Sequence, residues 1–358
     1  MSIDVMVAER ASAANRIPVG GVEAGLLKPN AMTLNPAACA VIGAKVVSGS
    51  IAKDDASMPA AAVATRASVA RDLLELTKPR IVTMILVTTL IAAVVATGGS
   101  TDMLTLVHLL VGVAMVAGSA GAMNQVWERK IDGEMERTRR RPLPAGRMPT
   151  AAAAIFSTVL GLVGTSYLAI NLGWVPAMVG LVTWITYVPI YTPLKTRSSW
   201  NTTVGAISGA LPMMIGYTAA GGALSDVRGW LLVGVLVAWQ YPHFMAIAWL
   251  YRRQYGEAGF RMSTTVEPTG VSAGWQSVVG MVALLGCLVG LALTGTDTIT
   301  TRNLIWIACL ITVSLPMTRT AIRFALDRND FTARKLLRAS LLQLPASLLL
   351  VMAAAILG

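Results

Sequence analysis

Residues 103–144 read MLTLVHLLVGVAMVAGSAGAMNQVWERKIDGEMERTRRRPLP, and this stretch contains both features that decide the fold. Its first half, residues 103–123, carries no Asp, Glu, Lys or Arg. A helix needs about 20 apolar residues to cross the hydrocarbon of a bilayer. We therefore predict that residues 103–123 span a membrane and that the acidic and basic residues after them lie at one membrane surface.

The composition is that of a chain that contacts mostly lipid. Of the 358 residues, 55% are hydrophobic and 13% are charged, and the mean hydropathy is +0.64, whereas a soluble domain is about 25% charged. The net charge is +11. Because the basic residues lie between apolar runs, they indicate membrane topology and not a nucleic-acid partner. Cys39, Cys287 and Cys309 form no spaced pair, so neither a disulfide framework nor a zinc site is predicted.

Nine segments are long and apolar enough to be membrane spans. We predict an all-α polytopic membrane protein whose nine transmembrane helices form a bundle around a central cavity. The segments are 81–98, 103–123, 151–170, 173–191, 202–221, 229–249, 274–294, 303–318 and 339–357.

The distribution of basic residues orients these spans. The even-numbered loops contain 18 Lys and Arg residues, and the odd-numbered loops contain only Arg228 and Arg302. Because positive loops stay on the cytoplasmic side, the N-terminus and the even-numbered loops are predicted to be cytoplasmic. We expect a multi-pass protein of the bacterial cell inner membrane, with the mitochondrial inner membrane as the alternative.

The N-terminal segment, residues 1–68, has a different composition. It is rich in Ala, Gly, Ser and Pro and contains no long apolar run, which indicates a disordered or targeting-like tail. The predicted membrane domain is therefore residues 69–358.

The loop after the second span carries candidate metal ligands. Asn124, Glu128 and Asp132 are spaced by four residues, which puts them on one face of a helix. Magnesium takes oxygen ligands, typically one or two carboxylates together with phosphate oxygens of a substrate. These three residues are the candidate catalytic and Mg²⁺-binding residues.

Arginines directly follow these three residues in the sequence. Arg137 and Arg141 are again four residues apart, and guanidinium groups match phosphate oxygens. A metal site next to arginines suits a diphosphate, whose departure leaves an allylic cation. The alternative is a topogenic loop, in which the basic residues mark the cytoplasmic side and the acids pair with them locally.

Several motifs together resemble the protohaem IX farnesyltransferase family of the intramembrane (UbiA-like) prenyltransferases. Residues 135–144, MERTRRRPLP, are similar to that family's version of the first aspartate-rich motif, and residues 239–244, WQYPHF, are the most diagnostic phrase. The similarity covers most of residues 73–357. The other similar segments are 76–81, 191–195, 200–202, 209–212 and 215–216.

The resemblance implies transfer of a farnesyl group from farnesyl diphosphate to the 2-vinyl group of haem b. Water is added, and the products are haem O and pyrophosphate. It also implies a bilayer setting, a Mg²⁺ cofactor and a possible partnership with the downstream haem A synthase. Arg137, Arg141 and Lys195 match diphosphate contacts, and Asn124, Glu128 and Asp132 match the metal ligands.

The chain departs from the family pattern at two places. Glu128 stands where the family normally has Asp, which keeps the ligand type on a longer side chain. In the second acidic motif, the expected aspartate is replaced by Gln254, so a second metal ion would rely on the Gln254 carbonyl oxygen or on Glu257. Arg253 in the same loop could instead contact the diphosphate.

His243 lies in the diagnostic phrase, and two tyrosines follow it. A neutral imidazole is the commonest haem-iron ligand, so His243 could orient the haem; the alternative is a hydrogen bond between helices. Tyr251 and Tyr255 could face a forming carbocation or could be ordinary interface tyrosines.

Two other functions are alternatives for this chain. A prenyltransferase acting on a quinone precursor explains the acidic stripe but not residues 239–244, and a transporter would place acids near the span midpoints.

Overall fold

The computed structural model describes residues 66–295 and 298–357, and it describes side chains from Ser68 onwards. The prediction of a disordered tail over residues 1–68 therefore lies almost wholly outside the described residues.

Every regular element in the described part is a helix. The helices are α1 Arg66–Leu76, α2 Pro79–Thr97, α3 Met103–Glu134, α4 Thr150–Leu172, α5 Trp174–Leu194, α6 Asn201–Ala219, α7 Val227–Leu250, α8 Arg252–Glu257, α9 Ser263–Val266, α10 Val271–Leu293, α11 Thr301–Leu326 and α12 Asp330–Leu357.

A helix occupies each of the nine predicted spans, namely α2 to α7 and α10 to α12. Within the described ranges, eight of these helices are long and apolar enough to cross a membrane. The remaining helix, α6, is less apolar but is buried along most of its length. Because neighbouring helices cover α6, its polar side chains do not have to face lipid.

Helices α11, α12 and α5 differ from the prediction in length or shape. The predicted loop 319–338 is mostly helical, because α11 continues to Leu326 and α12 begins at Asp330. Hydropathy detects only the part of a helix that lies at membrane depth, so it misses basic turns that extend beyond the bilayer. Within α5, Thr186–Tyr191 is a π-helical segment that contains Pro189. Proline has no N–H to donate, so the regular α-helical bond is lost there.

The centre of the bundle is formed by α6 and α7. The apolar window of α7 is 67% buried, against 22% to 39% in the other spanning helices. α6 packs against α2, α5 and α7, and α7 packs against α6, α10 and α12. α6 and α2 approach closely, since a Cβ at Gly216 would lie 2.1 Å from the backbone oxygen of Thr89.

The chain direction defines two ends of the bundle. At one end α2 begins and α3 ends, and we call this end the site face. At the other end α2 ends and α3 begins, and we call it the far face.

Candidate active site

Three oxygen-bearing side chains line one face of the last turns of α3. Asn124, Glu128 and Asp132 are only 0%, 6% and 1% exposed. α3 has 32 residues and is therefore about 48 Å long, whereas the hydrocarbon of a bilayer is about 30 Å thick. The three side chains, which we call the acidic stripe, therefore lie in the part of α3 that reaches the site face.

Each carboxylate of the acidic stripe forms an ion pair with a cation from another segment. Glu128 Oε1 accepts a hydrogen bond from Lys195 Nζ at 2.6 Å, and Lys195 directly follows α5. Asp132 Oδ2 accepts one from Arg141 Nη1 at 2.7 Å, and Arg141 lies in the turns after α3. Three separate segments thus meet at this site.

The amide of Asn124 is held from both sides. Its Oδ1 accepts a hydrogen bond from Lys78 Nζ at 2.5 Å, and its Nδ2 donates to Thr192 Oγ1 at 3.0 Å. Lys78 is a site residue that the sequence analysis missed. The available signal was its place in residues 76–81, directly before Pro79, which opens α2.

The backbone turn that carries Lys78 brings its side chain to Asn124. Lys78 has φ 56°, and among the described residues no other non-glycine residue has a positive φ; this conformation costs about 1–2 kcal/mol. The turn lies directly on α3, because Gln125 Nε2 donates to the carbonyl of Leu76 at 2.9 Å. At Gly121 a Cβ would lie only 3.0 Å from the oxygen of Thr77. The absence of a side chain at Gly121 therefore lets the turn approach the acidic stripe.

The two lysines of the site have different electrostatic environments. Burial, followed by the positive charge of Arg141, lowers the pKa of Lys78 to about 7. Burial also opposes the charge of Lys195, but the adjacent Glu128 carboxylate outweighs it and raises the pKa of Lys195 above its ordinary value. Lys195 is therefore fully charged at neutral pH.

The two arginines singled out by their spacing point in different directions. α3 ends at Glu134, so Arg137 and Arg141 lie on turns and do not share a helix face. Arg141 reaches back to Asp132, whereas the guanidinium of Arg137, an exposed residue, lies 5.7 Å from the centre of the Tyr251 ring.

The loop that carries the second motif packs against the end of α3. Phe260 and Ala258 form a buried cluster with Met135, and the Tyr255 ring packs edge-on against Phe260. Burial raises the pKa of the Tyr255 hydroxyl, so this tyrosine is neutral at physiological pH. In the described part of the chain, no hydrogen bond or ion pair links the acidic stripe to the exposed side chains of α8, namely Arg253, Gln254 and Glu257.

This loop is also tied to the segment that carries Lys195. The backbone N–H of Arg261 donates to the carbonyl of Lys195 at 2.8 Å. Asn201 Nδ2 donates to the carbonyl of Arg261 at 2.9 Å. The loops after α3, α5 and α7 therefore form one connected layer over the end of α3.

His243 lies inside α7 and is 5% exposed. Its Nδ1 and the Ser340 hydroxyl of α12 are 2.8 Å apart, and its ring stacks on Trp239 with centroids separated by 4.5 Å. Trp239 Nε1 donates to the carbonyl of Ser340. The helix-to-helix hydrogen bond considered above is thus present at Nδ1, while no described residue bonds to Nε2.

The donor set of the acidic stripe suits magnesium. Among residues 66–295 and 298–357, no group of three or more His, Cys, Asp or Glu side chains could hold a metal ion by itself. The acidic stripe instead offers two carboxylates and one amide oxygen. Magnesium typically binds one or two carboxylates and completes its shell with substrate phosphate oxygens and water.

Comparisons with known proteins agree with this arrangement. The model of the UbiA prenyltransferase family matches residues 85–354. A protein named protoheme IX farnesyltransferase from Rhodopirellula baltica is 54% identical over 279 residues, which cover 77% of this chain and 97% of that protein. One of the same name from Solibacter usitatus is 36% identical and covers 77% of this chain and 95% of that protein.

Solved structures show the same fold at low sequence identity. A digeranylgeranylglyceryl phosphate synthase has a TM-score of 0.66 at 15% identity, covering 81% of this chain and 99% of that chain. A UbiA homologue from Archaeoglobus fulgidus bound to GPP and Mg²⁺ has a TM-score of 0.55 at 13% identity, covering 78% of this chain and 99% of that chain.

The fold and the site define an integral membrane prenyltransferase. The chain belongs to the UbiA prenyltransferase family and, within it, to the protoheme IX farnesyltransferases.

Proposed function

We propose that this enzyme transfers the farnesyl group of farnesyl diphosphate to the 2-vinyl group of haem b, giving haem O and pyrophosphate. The observation that carries the proposal is the meeting of the acidic stripe with three basic side chains, Lys78, Arg141 and Lys195, at the end of a membrane helix. The names of the similar proteins support the choice of farnesyl donor and haem acceptor.

In this proposal Asn124, Glu128 and Asp132 hold Mg²⁺. When bound, magnesium takes up negative charge on the departing pyrophosphate. Arg141 and Lys195 balance the two carboxylates of the acidic stripe. Lys78, whose pKa is about 7, would be held in its charged form by an anionic diphosphate bound beside it. Lys78, Arg141 and Lys195 would then turn from the acidic stripe to the diphosphate oxygens, where direct cations stabilise the leaving group.

The exposed residues at the site face form the outer part of the proposed site. Arg137 and Arg253 are assigned to the outer oxygens of the diphosphate. Gln254 and Glu257 are assigned to a second metal position; Gln254 offers it a neutral oxygen, and Glu257 offers the only charge of the pair. This position would therefore bind a metal ion more weakly than the acidic stripe.

The reaction breaks one carbon–oxygen bond of farnesyl diphosphate and forms one carbon–carbon bond to the haem. The bond between farnesyl C1 and the diphosphate oxygen breaks with its electron pair on pyrophosphate, and the vinyl group of haem b attacks C1. The cation formed on the vinyl substituent takes hydroxide from water, and a proton is released. The aromatic rings of Tyr251 and Tyr255 would face the allylic cation, and Nε2 of His243 would bind the haem iron and orient the acceptor.

The same proposal covers domain organisation and location. The catalytic domain is residues 69–358, and residues 1–68 form a tail. The bias of basic residues towards one set of loops supports a cytoplasmic site face in a bacterial inner membrane. The haem O product would pass to haem A synthase.

One experiment tests the reaction. The full chain, purified in detergent, is incubated with farnesyl diphosphate, Mg²⁺ and haem b, and the haems are analysed by mass spectrometry. We expect a haem heavier by one farnesyl group and one hydroxyl group, with no product after chelation of Mg²⁺. An unchanged haem together with prenylation of 4-hydroxybenzoate would overturn the proposal in favour of a quinone-precursor acceptor.

A further inference from the structure

Ser340, near the middle of α12, forms hydrogen bonds with two aromatic side chains of α7. Its hydroxyl oxygen lies 2.8 Å from Nδ1 of His243, and its backbone carbonyl accepts a hydrogen bond from Nε1 of Trp239 at 2.9 Å. Ser340 is 0% exposed, so water does not compete for these bonds. One buried serine therefore holds both rings in place.

The hydroxyl hydrogen of Ser340 is already used within α12. Ser340 Oγ donates to the backbone carbonyl of Leu337 at 2.7 Å. A serine hydroxyl has one hydrogen to donate and two lone pairs that accept. Turning this hydrogen towards His243 would leave two oxygens 2.7 Å apart with no hydrogen between them. The Ser340 oxygen is therefore the acceptor in its bond with His243, and Nδ1 of His243 is the donor.

This direction of the bond assigns the tautomer of His243. The rings of Trp239 and Phe244 lie next to the imidazole, and such apolar surroundings favour its neutral form. A neutral imidazole carries its hydrogen on one ring nitrogen and a lone pair on the other. Because Nδ1 carries the hydrogen, the lone pair is on Nε2, and no described residue bonds to Nε2. This is the form in which histidine binds a metal ion.

The orientation of the imidazole ring is held as well. The ring of His243 stacks on that of Trp239 with an interplanar angle of 20°, and the Trp239 indole is itself bonded to the Ser340 carbonyl. A half-turn of the imidazole about its Cβ–Cγ bond would leave the buried N–H at Nδ1 without its acceptor, which is unfavourable. The direction in which Nε2 points is therefore set by α12.

We propose that Ser340 is a positioning residue for the haem acceptor: it keeps the hydrogen of His243 on Nδ1 and the ring in one orientation, so that Nε2 binds the iron of haem b. This inference rests on the proposed function, in which haem b is the acceptor. When an imidazole binds a metal, an acceptor for its other N–H fixes the ring and makes the ligating nitrogen more basic. Ser340 acts through His243 and does not itself touch the haem.

The same helix offers a matched control in Ser347. This serine is also 0% exposed, and its hydroxyl donates to the carbonyl of Leu344, three residues earlier, as that of Ser340 does to Leu337. Its hydroxyl bonds to neither ring of α7. Replacing either serine by Ala removes the same local bond, so a difference between the two variants reports the contact with His243.

The test measures haem b binding to the full chain in detergent, without farnesyl diphosphate. Absorption titration gives the dissociation constant, and resonance Raman spectroscopy of the ferrous complex gives the iron–histidine stretching band. We expect the wild type to show this band and His243→Ala to lose it. Ser340→Ala should weaken haem binding about 10-fold and move the band to lower frequency, because Nε2 becomes less basic. Ser340→Thr keeps the hydroxyl and should restore both values, and Ser347→Ala should behave like the wild type.

Two results would overturn the proposal. One is equal haem binding and an unchanged band in Ser340→Ala and Ser347→Ala, which would show that Ser340 does not act on the iron ligand. The other is a band that is missing from the wild type or that persists in His243→Ala, which would remove His243 as the ligand. The proposed function is tested separately, since haem O formation by the wild type is read by mass spectrometry and does not depend on either result.

Discussion

The ammonium of Lys78 lies 2.5 Å from Oδ1 of Asn124, although 46 residues separate them in sequence. The contact joins the turn before the first spanning helix to the acidic stripe at the end of the second. It places an amine with a pKa of about 7 next to the proposed metal ligands, and a diphosphate bound there would hold this amine in its charged form. The left-handed backbone at Lys78 is the local cost of this placement.

Replacing Lys78 by Met should remove this charge while keeping most of the side-chain length. We expect kcat/KM for farnesyl diphosphate to fall about 100-fold, because one preorganised contact to the leaving group is lost, while KM for haem b changes little. Lys78→Arg should recover part of the activity. Steady-state kinetics with each substrate varied in turn measures the effect, and Arg71→Met, an exposed position on α1, is the control. If KM for haem b rose as much as KM for farnesyl diphosphate, Lys78 would serve only to hold the local structure.

Asp132→Asn should lower turnover by at least about 100-fold, since it removes one of two carboxylates from the proposed magnesium site. The Mg²⁺ concentration for half-maximal activity should rise, and the protein should remain inserted and folded. Asp102→Asn is the matched control, because Asp102 caps α3 at the far face and Asn can cap equally well. Wild-type turnover in Asp132→Asn would remove this residue from the metal site.

His243→Ala should weaken the binding of haem b and leave the binding of the prenyl donor unchanged. We expect KM for haem b to rise and the haem absorption spectrum of the bound complex to change, while KM for farnesyl diphosphate stays near the wild-type value. His108→Ala is the control, since His108 bonds to Tyr167 in another part of the bundle. An unaltered spectrum in His243→Ala would show that Nε2 does not bind iron and that the residue only joins α7 to α12.

Gly216→Ala should destabilise the bundle. The new methyl group would lie 2.1 Å from the Thr89 backbone oxygen, so α2 and α6 would have to separate, at a cost of about 1–3 kcal/mol. Gly286→Ala is the control, because nothing lies within 4 Å of a Cβ at that position. Thermal unfolding in detergent compares the two variants. Equal unfolding temperatures would contradict the close packing of α2 on α6.

The sequence by itself determined the membrane class, the positions of the spanning helices and the identity of the acidic stripe. These are local properties. Apolarity over a span reflects the solvent that each segment must face, and a spacing of four places residues on one helix face whatever the rest of the chain does. On the same local basis, the bias of basic residues towards alternate loops predicts which end of the bundle faces the cytoplasm.

Only the tertiary structure decided which groups meet. Lys78 reaches Asn124, and Arg141 turns to Asp132 while Arg137 turns to Tyr251. The less apolar helix α6 takes a central place for a related reason, since its small residues let neighbouring helices approach. Contacts of this kind depend on which helices become neighbours. Packing between segments that are far apart in sequence determines which helices these are.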